Sequence, residues 1–279
     1  MAIEKNFESF VNSLHLSKKE ISIKSSSFRL ITKILNNKFH NSKSDTANAT
    51  YVGGTLLGTE IHIDDLAMLY VLPNSLITAN PIDLLELSKN TLETISDDVS
   101  IRLNRIRIKL ANDATIEIIL GFMDNIDHNY LLISTNKKLQ KANFKLIKST
   151  FDELNKKCND NFINLAKMIR EWAYHNKVNL PYELIDAMSY QFLTTYKYRN
   201  KGYLYYDCLI ADFIKYMIDN YKEAWYVPGT EARITKPSIS MKKAKITYQL
   251  AIEAIEHNTM GRYKIALAIW QEIFGENFK

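Results

Sequence analysis

Only two cysteines, five prolines and eight glycines occur among 279 residues, and a long apolar run is missing altogether. Cys158 and Cys208 form no CxxC pair and have no histidine at zinc-ligand spacing. That excludes a zinc ribbon and a disulfide-framed secreted domain, and predicts two free thiols in a reducing cytoplasm. So little glycine and proline excludes a collagenous or low-complexity chain. No stretch of about 18 apolar residues exists, so no membrane-spanning helix is expected. The N-terminal MAIEKNFESF has no basic start followed by an apolar run, so no secretory leader is expected either. Neither sign of charge dominates: Lys and Arg number 36, Asp and Glu 31, and the formal net charge is +5. An excess this mild is compatible with a triphosphate or RNA ligand without demanding one.

What is present is ordinary globular material, 46 % hydrophobic and 24 % charged, long enough for one large domain or two lobes with a sizeable core. Ile3, Phe7, Phe10, Val11 and Leu14 recur at helical spacing, as do Phe28, Ile31, Leu35 and Phe39. Residues 3–39 are therefore predicted to be helical, with Ser25, Ser26 and Ser27 offering N-cap oxygens before Phe28. The polar stretch HNSKSDTANA (40–49) is predicted to be a loop, because Asn, Ser, Asp and Thr compete with the backbone for hydrogen bonds. A glycine-rich turn, TYVGGTLLGTEI, follows, and LAMLYVLP (66–73) is a buried strand closed by Pro73. Residues 76–94 are predicted helical. IRLNRIRIKL (101–110) and ATIEIILGF (114–122) alternate as half-buried strands joined by a hairpin turn at NDAT (111–114). These three strands predict one mixed sheet. From Lys145 onward the pattern is helical over 145–175, 181–199, 204–224 and 239–274, interrupted by the loop VPGTEARITKP (227–237). The expected division is 1–144 for a sheet-bearing core with N-terminal helices and 145–279 for a helical lobe, with the cleft between them as the default ligand site.

One constellation has the makings of chemistry. A glycine-rich turn lets backbone N–H groups approach a polyphosphate with no Cβ in the way. Carboxylates two apart on a strand share a face, and with a third on a neighbouring strand they can hold a pair of divalent cations. Gly53, Gly54 and Gly58 lead here to Asp64, Asp65, Leu66 and Ala67 at the mouth of a strand, and Glu117 lies in a later one. Glu117 either joins this site or faces solvent, the alternation allowing both. Taken alone the frame is weak, since glycine turns before strands are common.

The segment YVGGTLLGTEIHIDDLAMLYVLP (51–73) resembles the motif of the cGAS/DncV-like nucleotidyltransferases (the CD-NTase or SMODS-type family) and aligns with it without a gap. RLITKILNNKF (29–39) is similar to the helix before that motif, and FINLAKMIREW (162–172) to the helix that bears a phosphate-facing basic residue. ALAIWQEIFGENF (266–278) resembles the family's C-terminal signature, so the likeness runs over nearly the whole chain. It implies an α+β fold: a polymerase-beta-like nucleotidyltransferase core around a mixed sheet, an N-terminal helical arm and a C-terminal helical lobe. It further implies nucleoside triphosphate substrates, Mg²⁺, cyclic di- or trinucleotide products and antiphage (CBASS-like) signalling through an effector. Carried over by position, Asp65 matches the first metal-binding Asp, Glu117 the third acid, Arg170 the phosphate-facing cation, and Gly53, Gly54 and Thr55 the nucleotide-binding turn.

The departures are as telling. Ala67 stands where the second metal-binding Asp belongs, Gly54 where the motif has Ser, Leu57 where an Arg often follows, and Pro181 where a phosphate-binding Ser is usual. Asp64 could replace the lost carboxylate only through a bulge, since adjacent strand residues point to opposite faces. A single inactivating substitution would account for Ala67 but not for the other three. The expectation is a catalytically impaired or inactive homologue in the cytoplasm, with a retained cleft for a nucleotide or for an effector or regulatory partner protein. One alternative is an active Mg²⁺-dependent cyclic oligonucleotide synthase using Asp65, Asp64 and Glu117. Another is an RNA-sensing or structural module, for which TYKYRNKGYLYY (195–206) supplies interleaved aromatic and basic residues. His62, Trp172, Trp270 and Phe274 are expected to be a surface residue and three core residues.

Overall fold

The computed structural model describes residues 2–102, 104–124, 129–134, 139–228, 233–238 and 241–279. In chain order its first elements are α1 (Ala2–Ser13), α2 (Lys18–His40), β1 (Ala49–Tyr51), α3 (Gly53–Leu57), β2 (Leu66–Leu72) and α4 (Pro81–Leu92). Then come β3 (Val99–Arg102), β4 (Arg105–Lys109), β5 (Thr115–Met123), β6 (Tyr130–Leu132) and β7 (Gln140–Ala142). The remainder is α5 (Phe144–Lys157), α6 (Asn161–His175), α7 (Tyr182–Thr195), α8 (Tyr206–Asn220), α9 (Lys242–Thr259) and α10 (Tyr263–Phe274). They form two compact units: Leu16–Leu56 with Ile63–Leu146, and Met1–His15 with Leu57–His62 and Ile147–Lys279. Of the expected loop 227–237, residues 229–232 lie outside the described set. No helix among the described residues is long and apolar enough to cross a membrane.

The first unit is built on a sheet ordered β1-β2-β5-β4-β3, with β6 on the far half of β5 and β7 on β6. Among the described residues only β2 and β5 run parallel; the other pairings are antiparallel. Because β2 is covered on both faces, its sequence is a continuous apolar run, whereas β5 alternates. Leu66, Met68, Tyr70, Ile116, Ile118 and Leu120 face one core, completed by Phe28, Ile31 and Leu35 of α2 and Leu84, Leu85 and Leu92 of α4. The opposite face carries a smaller cluster of Val52, Leu69 and Val71, with Ala67, Ile119 and Phe144 packed against it.

Three local readings need correction. The N-cap of α2 is Ser17, not a serine at 25–27; Ser17 and Glu20 form a reciprocal capping box, which satisfies two backbone donors at once. The serines at 25–27 therefore sit inside a helix 23 residues long. IRLNRIRIKL is not one strand: the chain reverses between Arg102 and Arg105, which pair across a hairpin, with Asn104 in the turn. Residues 239 and 240 of the predicted helix 239–274 lie outside the described set, and the rest holds two helices, α9 and α10, broken where Gly261 takes φ 74°, a left-handed conformation that costs a glycine little. The turn at Asn112–Ala114 is as expected: the Ala114 N–H donates to the Asn112 side chain at 3.1 Å and the Asp113 N–H to the Leu110 carbonyl at 3.0 Å. The polar loop after α2 is ordered by buried Asn36, whose amide donates to the carbonyls of Ser44 and Ala47 while its oxygen accepts from Asn48.

The second unit is helical. Its centre is α6, buried along nearly its whole length, where the Trp172 indole N–H donates to Thr247 at 2.9 Å. Both cysteines, which lie in this unit, are free thiols. An aromatic cluster joins α1 to α10: Phe7 packs edge-on against Trp270 at 5.0 Å and Phe278 at 4.9 Å, and Phe10 against Phe274 at 4.7 Å. The Arg170 guanidinium is also interior, 1 % exposed; it donates to Asp186 at 2.8 Å and Thr59 at 2.9 Å and lies over the Tyr182 ring. Burial pushes the Asp186 carboxyl upward in pKa, opposed by Arg170 and by the hydrogen bonds it accepts.

Trp270 is fully buried, so Trp270→Ala should cost about 3–5 kcal/mol in denaturant unfolding; a negligible shift in midpoint would mean the ring is not packed as described. Arg170→Met alone strands a buried carboxylate and should cost about 3–5 kcal/mol, whereas Arg170→Met with Asp186→Leu should recover most of that loss. A double variant as unstable as the single one would contradict a structural pair.

Candidate functional site

The carboxylate frame lies at the entrance to β2. The parallel register places Ala67 beside Glu117, and the antiparallel register places Glu117 beside Arg107, so the three form one row across β2, β5 and β4. Register partners on neighbouring strands point to the same face. Asp65, two residues before Ala67 and just outside β2, meets this row: its carboxylate accepts from Arg107 Nε at 2.9 Å. Arg105, two residues along β4 from Arg107, donates to Glu117 at 2.6 Å. All four side chains remain partly open to solvent, from 28 % for Asp65 to 38 % for Arg105. The Asp65 carboxylate, hydrogen-bonded to it, raises the pKa of Arg107 further above the guanidinium value.

A pair of divalent cations asks for three carboxylates on one face. Here there are two, each held by a guanidinium, and Ala67 presents a methyl group where the third would stand. Asp64 is buried, 5 % exposed, with its backbone carbonyl accepting from Lys24 of α2 at 3.1 Å. The register of β2 against β5 is unbroken from Leu66 to Leu72, and Asp64 lies before it, outside the strand. Among the described residues no group of three or more His, Cys, Asp or Glu side chains is placed to hold a metal ion. The residues present do not fit a metal pair.

The glycine turn sits at the same end of β2. Gly53 takes φ 54°, and a Cβ built on it would come within 3.7 Å of the Ala67 Cβ. Two hydrogen bonds staple the turn to the strand: the Val52 N–H donates to the Ala67 carbonyl at 3.0 Å, and the Ala67 N–H to the Thr55 side-chain hydroxyl at 3.1 Å. Gly53, Gly54 and Thr55 are thus brought to Asp65, Ala67 and Glu117 within one unit. Arg170 belongs to the other unit. Expected to face phosphate, it is instead the buried partner of Asp186, its charge committed to the helical core. Leu57 is buried, Pro181 precedes α7 without a side-chain cap, and His62 is exposed in its loop, as expected of a surface residue.

Arg105 and Arg107 were not singled out by sequence, although the signal was there: cations two apart on a strand share a face. The aromatic and basic segment 195–206 links α7 to α8, and its lysines lie over its own tyrosines, Lys197 over Tyr198 at 4.6 Å and Lys201 over Tyr205 at 5.6 Å. That is the packing of a connection between helices, with ring faces already covered by cations of the same loop.

Residues 1–119, which hold the glycine turn, Asp65, Ala67 and Glu117, match the family described as Second Messenger Oligonucleotide or Dinucleotide Synthetase domain (SMODS). Among curated proteins no relative matches by sequence. Among solved structures, CdnC of E. coli MS115-1, in complex with a HORMA protein, superposes with TM-score 0.68 at 15 % identity, covering 99 % of this chain and 98 % of CdnC. Vibrio cholerae DncV, a cyclic AMP-GMP synthase in complex with a linear intermediate, gives TM-score 0.72 at 12 % identity over 96 % of this chain and 93 % of its own. The CdnE c-di-GMP synthase of Capnocytophaga granulosa gives 0.64 at 13 % identity over 90 % and 85 %. At such identities the superpositions speak for the fold alone, a nucleotidyltransferase fold shared with CdnC and DncV, and the sequence match places a SMODS-type domain at residues 1–119.

Proposed function

We propose that this protein is a nucleotide-binding member of the cGAS/DncV-like nucleotidyltransferases in which cyclic oligonucleotide synthesis is impaired or lost. It serves bacterial antiphage signalling by holding a nucleotide or a partner protein. The observation that carries this reading is the row at the mouth of β2: Ala67 lies beside Glu117, and both remaining carboxylates are paired with arginines. Removing one of three carboxylates takes a full negative charge from a site that must hold two divalent ions, a loss that ordinarily costs several orders of magnitude in rate. The glycine turn, by contrast, is intact in backbone, so the polyphosphate-facing part of the frame survives. A nucleotide ligand agrees with a CdnC structure determined with ATP, and a regulatory protein partner with the CdnC–HORMA complex. The active-synthase alternative would require Asp64 to leave its buried position and join Asp65 and Glu117.

Incubation of the purified protein with labelled ATP, GTP, CTP and UTP, in Mg²⁺ and in Mn²⁺, should yield no cyclic or linear oligonucleotide above the rate seen without protein. Product formed at an ordinary enzymatic rate, on the order of one turnover per second, would contradict the impairment.

A further inference from the structure

The two arginines on β4 do more than occupy the carboxylates. We propose that Arg107, supported by Arg105, takes the place of the divalent cation on this face, so that the protein binds polyphosphate directly through guanidinium and without metal. The inference rests on the nucleotide-binding reading above and names the chemistry by which the ligand is held.

Three observations carry it. Arg107 belongs to the same cross-strand row as Ala67 and Glu117, and the glycine turn approaches that row at Ala67. Its bond to Asp65 goes through Nε, and a guanidinium has five N–H donors, so the remaining donors are not spent on that contact. With 30 % of its side chain exposed, Arg107 is open to a ligand from solvent. A planar guanidinium matches phosphate oxygens in geometry as well as charge.

Charge counting gives the same result. Two carboxylates oppose two guanidiniums, so the four side chains sum to zero. A divalent cation gains nothing from entering such a cluster unless it displaces the arginines. A carboxylate at 67 would leave the cluster negative and would repel phosphate at the point where the glycine turn comes closest. The methyl group of Ala67 removes that repulsion. The change that spoils a metal site thus favours direct contact between a polyphosphate and Arg107.

Isothermal calorimetry on the full chain tests this with five probes: inorganic tripolyphosphate, ATP, GTP, CTP and UTP, each in EDTA and in Mg²⁺. At least one probe should bind in EDTA, and Mg²⁺ should leave its affinity unchanged or lower it by masking phosphate charge. Arg107→Gln should weaken metal-free binding by about tenfold or more. Asp65→Asn, which releases the guanidinium from its carboxylate, should strengthen it by about threefold. In Mg²⁺ a metal-binding Asp65 predicts weaker binding for Asp65→Asn, so the Mg²⁺ arm of this variant decides the matter even if Arg107→Gln folds poorly. Binding that requires Mg²⁺, binding indifferent to Arg107→Gln in a folded variant, or weakening in Asp65→Asn would each overturn the guanidinium proposal and leave nucleotide binding standing. Failure of all five probes to bind in either condition would overturn both.

Discussion

The parallel pairing of β2 with β5 is the constraint on which the site depends. It runs in register from Leu66↔Ile116 to Leu72↔Phe122, and among the described residues it is the only parallel pair in the sheet. Six of the seven β2 residues are buried, so a one-residue slip would exchange the residues packed into the two clusters on its opposite faces. The same register that satisfies the core fixes Ala67 against Glu117 at the strand's entrance. The antiparallel β4 then brings Arg107 to the other side of Glu117. The chemistry of this face is therefore inherited from packing: no loop movement within the strands can re-pair these side chains without unmaking the core.

How much of this was legible in the sequence depended on the range of the interactions. The apolar run 66–73, the alternation at 114–122 and the turn at 111–114 are local patterns and appear as strands and hairpin. The Ser17–Glu20 capping box is equally local and was overlooked in favour of the serines at 25–27, whose hydroxyls occur inside α2. The short strands β1, β6 and β7, three residues each, exist because long strands offer them an edge, which no window of their own residues reveals. Arg102 and Arg105 look like one strand by alternation. Only the pairing of Val99 with Ile108 shows that the chain folds back between them.

The site divided along the same line. The positions of Gly53, Asp65, Ala67 and Glu117 follow from motif and strand period. The partners of the acids do not, since Arg107 is 42 residues from Asp65 and becomes its neighbour only through the sheet. Arg170 shows the reverse error. Its helix and neighbouring Trp172 are as the family pattern implies, yet Asp186, Thr59 and Tyr182 enclose the guanidinium, and a buried ion pair of this kind is part of the scaffold. Likewise α1, first in the chain, packs into the C-terminal helical unit through Phe7 and Phe10 against Trp270, Phe274 and Phe278.

The central claim is that Asp65 and Glu117 are neutralised by arginine and do not hold divalent ions. Electron paramagnetic resonance of Mn²⁺ reads this without any nucleotide or turnover, because bound Mn²⁺ drops out of the free-ion signal. Titrated into the metal-free protein, Mn²⁺ should give a free-ion signal that rises as it does in buffer, with no saturable uptake up to millimolar concentration. Saturable uptake at micromolar Mn²⁺ that disappears in Asp65→Asn or Glu117→Gln would contradict the account, since those carboxylates would then be ligands that give up their arginines to metal.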